Sequence, residues 1–182
     1  MKIKNCLFLL GTAMAVMSSS AFADVAGTQT FTANVTADTC TIANLNQAVD
    51  LGNVLKAEYA GLSNWNVPAA NVALVSVNFD VTGCGNNITT VNVTPTFNAE
   101  SGSTYARFVK NAGTAAGIAF DTAKLSNTDF DKNRIWENGK TRTFTLTNGA
   151  VQVPVTGTLS KNDKAVTAGT LDFQMTFAFD FV

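Results

Sequence analysis

Between Leu171 and Val182 the chain alternates with a period of two. Leu171, Phe173, Met175, Phe177, Phe179 and Phe181 fall on one face. Asp172, Gln174, Thr176, Ala178 and Asp180 fall on the other. Such alternation predicts a strand with one buried face. A weaker alternation, Phe31, Ala33 and Val35, runs through the polar segment 24–38, ahead of Cys40. The chain offers a strand without an evident mate at one end and a spare strand at the other. That layout predicts a subunit that completes its neighbour.

The intervening residues read as short strands separated by turns. Val75, Val77, Phe79 and Val81 alternate with Ser76, Asn78, Asp80 and Thr82, up to Gly83-Cys84. Gly85-Asn86-Asn87 supplies a turn, because glycine and asparagine tolerate positive φ. Val91, Val93, Pro95 and Phe97 continue as a strand. Proline cannot donate to a ladder, so this strand is expected at a sheet edge or at a bulge. Residues 39–43 and 49–55 read as strand pieces around a loop at 44–47, and 55–68 as irregular. Residues 105–109 and 117–121 read as short strands. The polar stretch 122–139 carries Ile135-Trp136, which could plug one end of a core. Asn148-Gly149 between runs at 142–147 and 151–159 is a hairpin signal. A polar loop, 160–169, precedes the last strand. The pattern predicts an all-β chain, a two-sheet sandwich with Greek-key connections.

Residues 1–23 read as a secretory signal. Lys2 and Lys4 precede an apolar run from Cys6 to Met17, and Ala21-Phe22-Ala23 supplies small residues before a cut at Asp24. The run is too short for a membrane span. Taking 23 from 182 residues leaves 159, enough for one domain with a real core. The twelve basic residues lose Lys2 and Lys4, leaving ten against thirteen acidic ones, a net charge of −3. With no basic run, a nucleic-acid partner is not expected. Cys40 and Cys84 remain after processing. In an exported chain with an even cysteine count and no other metal-type ligands they most simply form one disulfide. Its 44-residue separation is worth roughly 4 kcal/mol in the chain-entropy picture.

These residues resemble the pilin subunits assembled by the chaperone–usher pathway, of the type 1 and P pilus kind. The resemblance spans the whole mature chain. It rests on the signal, the N-terminal extension and Val35-Thr-Ala-Asp-Thr-Cys40-Thr-Ile. It rests also on Val77-Asn-Phe-Asp-Val-Thr-Gly-Cys84 and on Thr147-Asn-Gly149 followed by Val153-Pro-Val155. Gly169 stands fourteenth from the end and Phe181 next to last. The resemblance implies an incomplete immunoglobulin-like Greek-key sandwich lacking its last strand, completed by a donated N-terminal strand. It divides the chain into a signal peptide (1–23), a donor-strand extension (24–38) and a pilin domain (39–182).

The implied donor residues are Phe31, Ala33 and Val35. The implied acceptor groove and chaperone contact are Gly169, Leu171, Phe173, Met175, Phe177, Phe179 and Phe181. Six large side chains on that strand could each contribute ~1.5–3 kcal/mol if buried. An uncovered apolar groove beside an open edge invites aggregation, and a strand supplied in trans solves both problems. The implied partners are a periplasmic pilus chaperone, an outer-membrane usher, neighbouring pilin subunits and a possible host receptor. The implied location is the cell-surface fimbrium, reached through the periplasm, and the implied role is cell adhesion. This sequence departs from the family at Ala33, where glycine is usual, and at Phe181, where tyrosine is commoner.

Other chemistry has little support. The chain has no histidine, which removes His-based nucleophilic and metal sites. No enzyme activity and no cofactor or metal are expected. Asp129 and Asp131 open like a calcium loop, but Arg134 stands where glycine is needed and Lys140 where the closing glutamate belongs. Trp65 or Trp136 could stack on a sugar or cap the core. The alternative to a structural subunit is therefore a single-domain adhesive subunit binding host glycan or protein directly. A further alternative is a complete sandwich whose N-terminal strand folds back onto its own domain.

Overall fold

A computed structural model describes residues 24–35, 40–69, 74–123 and 135–182. The signal expected at 1–23 and the Asp129/Asp131 loop lie outside the described residues. Among the described residues, runs rich in β-branched and aromatic residues form ten strands. They are β1 (Asp24–Val35), β2 (Thr41–Ala43), β3 (Asn46–Leu55), β4 (Leu74–Thr82), β5 (Thr90–Thr96), β6 (Phe108–Lys110), β7 (Ile118–Asp121), β8 (Arg142–Thr145), β9 (Val151–Lys161) and β10 (Leu171–Phe181), with one helical turn, α1 (Lys56–Ala60). One five-stranded sheet has the order β3-β1-β10-β5-β8, and the other β2-β4-β9-β7-β6. Consecutive strands mostly alternate between the sheets; β6 and β7 are the pair that stays together. The expected all-β, two-sheet chain is observed.

The core lies between the sheets. The inward faces of β4 and β10 are buried as their alternation requires: Val75, Val77, Phe79 and Val81 on one, Leu171 to Phe179 on the other. Phe79 sits against Phe177 and Phe179, with ring centroids 5.3 and 5.5 Å apart. Trp136 does plug the core. It is fully buried, its indole N–H donates to the Pro154 carbonyl at 3.1 Å, and its ring meets Phe177 edge-on at 5.2 Å. Thr122 Oγ1 accepts from the Trp136 amide at 3.2 Å and donates to its carbonyl at 2.6 Å. The Trp136 backbone N–H and C=O are therefore both satisfied inside the core by one threonine hydroxyl.

Several boundaries differ from the sequence reading. β3 begins at Asn46, so the break shrinks to Asn44 and Leu45, the first with φ of 62°. Pairing of Asn46 and Gln47 with Thr32 and Phe31 overrides their weak strand propensity. Residues 56–60 form a helical turn rather than irregular chain. Five residues are too few to show a helical period, and the turn is held by fully buried Tyr59. Burial, and secondarily the Glu58 carboxylate, push the Tyr59 hydroxyl well above its ordinary pKa.

Pro95 is not on an edge strand, since β5 pairs with both β10 and β8. However, β8 reaches only as far as Val93, and the Pro95 carbonyl accepts instead from Gly139 N–H at 2.8 Å. That side of Pro95 faces a loop, so the missing N–H breaks no ladder bond. Asn148 and Gly149, with φ of 53° and 70°, form the expected tight turn, closed by a Thr147–Ala150 bridge. The flanking strands do not make a hairpin. β8 continues into one sheet and β9 into the other.

Candidate strand-exchange groove

β1 lies between β3 and β10. It is antiparallel to β3, from Asp24–Leu55 to Thr32–Asn46, and parallel to β10, from Gly27–Leu171 to Val35–Phe179. Among the described residues, β3 is the edge of its sheet and pairs with β1 alone. The link between β3 and β10 within this sheet therefore runs through β1. The sequence expectation was an open slot awaiting a donated strand. In this structure the chain's own β1 lies in the place where that strand is expected.

Gly27, Gln29 and Phe31 of β1 are buried, and Ala33 is partly buried. Phe31 has no exposed surface, stands opposite Met175 and approaches Phe177 at a ring distance of 6.3 Å. Ala33 stands opposite Phe177 and Val35 opposite Phe179. On the outer face Thr32 and Thr176 share a hydroxyl hydrogen bond at 3.0 Å. On β10, Leu171, Phe173, Met175, Phe177 and Phe179 are buried, and Phe181 is partly buried opposite Val91 of β5. Phe120 backs Phe173 from the other sheet, at 6.0 Å.

Gly169 stands just ahead of β10 rather than in it. Its φ is 156°, and a Cβ there would lie 2.5 Å from Ala115 N and 2.6 Å from Thr114 Oγ1. Glycine lets the chain entering β10 pass close to the 114–115 loop, where Ala115 N–H donates to Thr170 O at 3.0 Å. Cys40 and Cys84 form the expected disulfide, with Cα atoms 4.3 Å apart. They flank the paired ends of β2 and β4, where Thr41 stands opposite Thr82. The bond therefore ties the chain leaving β1 to the second sheet.

The far wall was not read from the sequence. Val49, Leu51 and Val54 of β3 pack against the core, yet their spacing breaks period two. The cause is a bulge: Gly27 pairs with Gly52 and Thr28 with Asp50, leaving Leu51 as the extra residue. Gly52 takes φ of 60°, and its N–H donates to Asp50 Oδ1 at 2.9 Å. The Asp-Leu-Gly sequence was the available signal. Gly27 fits beneath this bulge because it has no side chain. A Cβ there would stand 2.9 Å from Leu171 Cβ and 3.0 Å from Leu51 Cδ1. Gly27→Ala should therefore unseat this end of β1 and destabilise the chain by about 1–3 kcal/mol, the range for overpacking. Urea unfolding of the two proteins measures it, and an unchanged midpoint would place Gly27 outside the slot.

Trp65 is half-buried, with φ of 65° and its ring 4.6 Å from that of Phe108. Among the described residues, no three acidic or cysteine side chains converge as a metal site, and no helix is long and apolar enough to cross a membrane. No protein-family model matches the chain, and no curated protein shows significant similarity to it.

Proposed function

We propose that the chain is a structural subunit of a surface fimbria that supports cell adhesion and polymerises by donor-strand exchange. In this reading the domain is an immunoglobulin-like Greek-key sandwich short of one strand, and β1 is the strand it gives away. A periplasmic chaperone would fill the slot during export, and an outer-membrane usher would be the place of exchange. The observation that carries the reading is the seat of β1. The strand β1 lies between β3, an edge strand that among the described residues pairs with β1 alone, and β10, whose inward face is a row of large buried apolar side chains.

The slot also suits exchange in its polarity. β3 and β10 run antiparallel to each other, because β1 is antiparallel to one and parallel to the other. A strand entering in either direction meets one parallel and one antiparallel neighbour. Backbone pairing alone therefore does not reserve the slot for the chain's own strand. Phe31 supplies the anchor: burying a phenylalanine is worth roughly 1.5–3 kcal/mol, and the same side chain is available to a neighbour's slot.

The test uses the full chain and a fluorescent peptide of residues 24–38. The peptide should enter the slot, displace β1 and remain bound through size-exclusion chromatography. The peptide-loaded chain, its own β1 now free, should then seed head-to-tail assembly with further copies. Refolding the chain from denaturant with excess peptide, and finding no peptide bound, would overturn the reading.

A further inference from the structure

β1 carries one inward side chain that the slot does not satisfy. Gln29 is fully buried, opposite Phe173 on one side and Val49 on the other. Among the described residues, neither its Oε1 nor its Nε2 has a hydrogen-bond partner. Its neighbours on the inward face are Gly27, under Leu171 and Leu51, and Phe31, beside Phe177. Buried polar groups in proteins are nearly always paired, so an orphaned amide in the middle of a seated strand requires a reason. Its donor and acceptor are both hydrated when β1 is free, and both lose water without replacement when β1 is seated.

We propose that Gln29 sets the lifetime of the self-closed chain. It is a weak point in the cis strand that hastens the surrender of β1 to a second copy of this chain. The proposal rests on the strand-exchange reading and adds to it a residue that tunes the exchange. Phe31 holds the strand in, and Gln29, two residues away on the same face, limits how long it stays. The penalty exists while the amide sits between Phe173 and Val49, in this chain or in the identical slot of a second copy, so it acts on the rate of release and not on the final balance. It vanishes as that part of β1 lifts out, so it shortens the closed lifetime without weakening the rest of the sandwich. Glutamine is uncharged, so the device works without a pH change.

The experiment compares the native chain with Gln29→Met, which keeps the length and shape of the side chain but removes the amide. Gln29→Leu serves as a second apolar variant. The rate at which each folded monomer exchanges β1 for the native 24–38 peptide is followed by fluorescence. Exchange by the Met and Leu variants should slow about tenfold or more, the effect of one unmade hydrogen bond. Gln29→Glu should exchange faster than the native chain, because it buries a charge in the same place. Amide hydrogen exchange locates the effect: protection should rise in β1 for Gln29→Met and stay unchanged in β4 and β9. Equal exchange rates for native, Met and Leu chains would overturn the proposal, as would a rise in protection spread evenly over both sheets. A water bridging the amide would give the first of these results. A native chain that never takes up peptide fails the strand-exchange reading instead, so the two failures are distinct.

Discussion

Phe177→Ala should cost about 3–5 kcal/mol of folding stability, the usual range for truncating a buried phenylalanine. Phe177 has no exposed surface. Its ring lies 5.3 Å from Phe79 in the opposite sheet, 5.2 Å from Trp136 at the end of the core and 6.3 Å from Phe31 on β1. Truncation therefore leaves a cavity with three large rings on its walls, each held by its own strand or hydrogen bonds and little able to collapse inward. The effect should reach β1 as well, since Phe31 loses a neighbour. Urea unfolding of full-length protein measures the loss as a lower midpoint at unchanged slope. The adjacent Ala178 points outward and is exposed, so Ala178→Ser should change stability by no more than about 0.5 kcal/mol. Equal costs for the two substitutions would mean that the inward face of β10 has been misassigned.

β10 and β4 were legible because each keeps strict alternation over a full strand with large apolar residues in phase. The disulfide was legible because reading residues 1–23 as a secretory signal leaves Cys40 and Cys84 with few alternatives. The first strand was legible only in part. Phe31 and Ala33 mark the inward face, but Gly27 and Gln29 share it and hide its length. The direction of β1 could not be read at all. A period of two is the same in both directions along a strand, so alternation tells which face is buried and not which way the chain runs. Nor does it tell whether the strand serves its own domain or another. The far wall was lost to the bulge at Leu51, which shifts the phase within one strand. Asn148-Gly149 shows a related limit. Its two residues dictate a tight turn, but nothing in them fixes whether the next strand stays in the same sheet. The structure sends β9 across to pair with β4 and β7, where its apolar face is needed.

Deleting residues 24–38 should leave a domain that is severely destabilised alone and recovered by the missing strand as a separate peptide. The deletion removes β1 and the chain just after it. It spares Cys40, Cys84 and every strand of the second sheet. The damage is local but large. β3 loses its partner strand, β10 loses one row of hydrogen bonds, and Leu171, Phe173, Met175 and Phe177 lose their cover. Such an edge is prone to aggregate, so the truncated protein should be recovered soluble only with peptide present. Thermal unfolding then measures the slot directly. At a peptide concentration a hundredfold above Kd, binding adds about 2.7 kcal/mol, a rise in Tm of roughly 5–10 °C for a chain of this size. A peptide carrying Phe31→Asp should give little or no rise, because an ion in the Phe31 position must be desolvated at a cost of several kcal/mol. A truncated chain that melts cooperatively at the full-length temperature and ignores the peptide would show that β1 is dispensable and the slot closes without it. One that unfolds and is not recovered by any concentration of peptide would show that β1 belongs to the folding unit in cis and is not an exchangeable strand. Recovery by the native peptide, and not by the Phe31→Asp peptide, is the result that a slot built for a second chain requires.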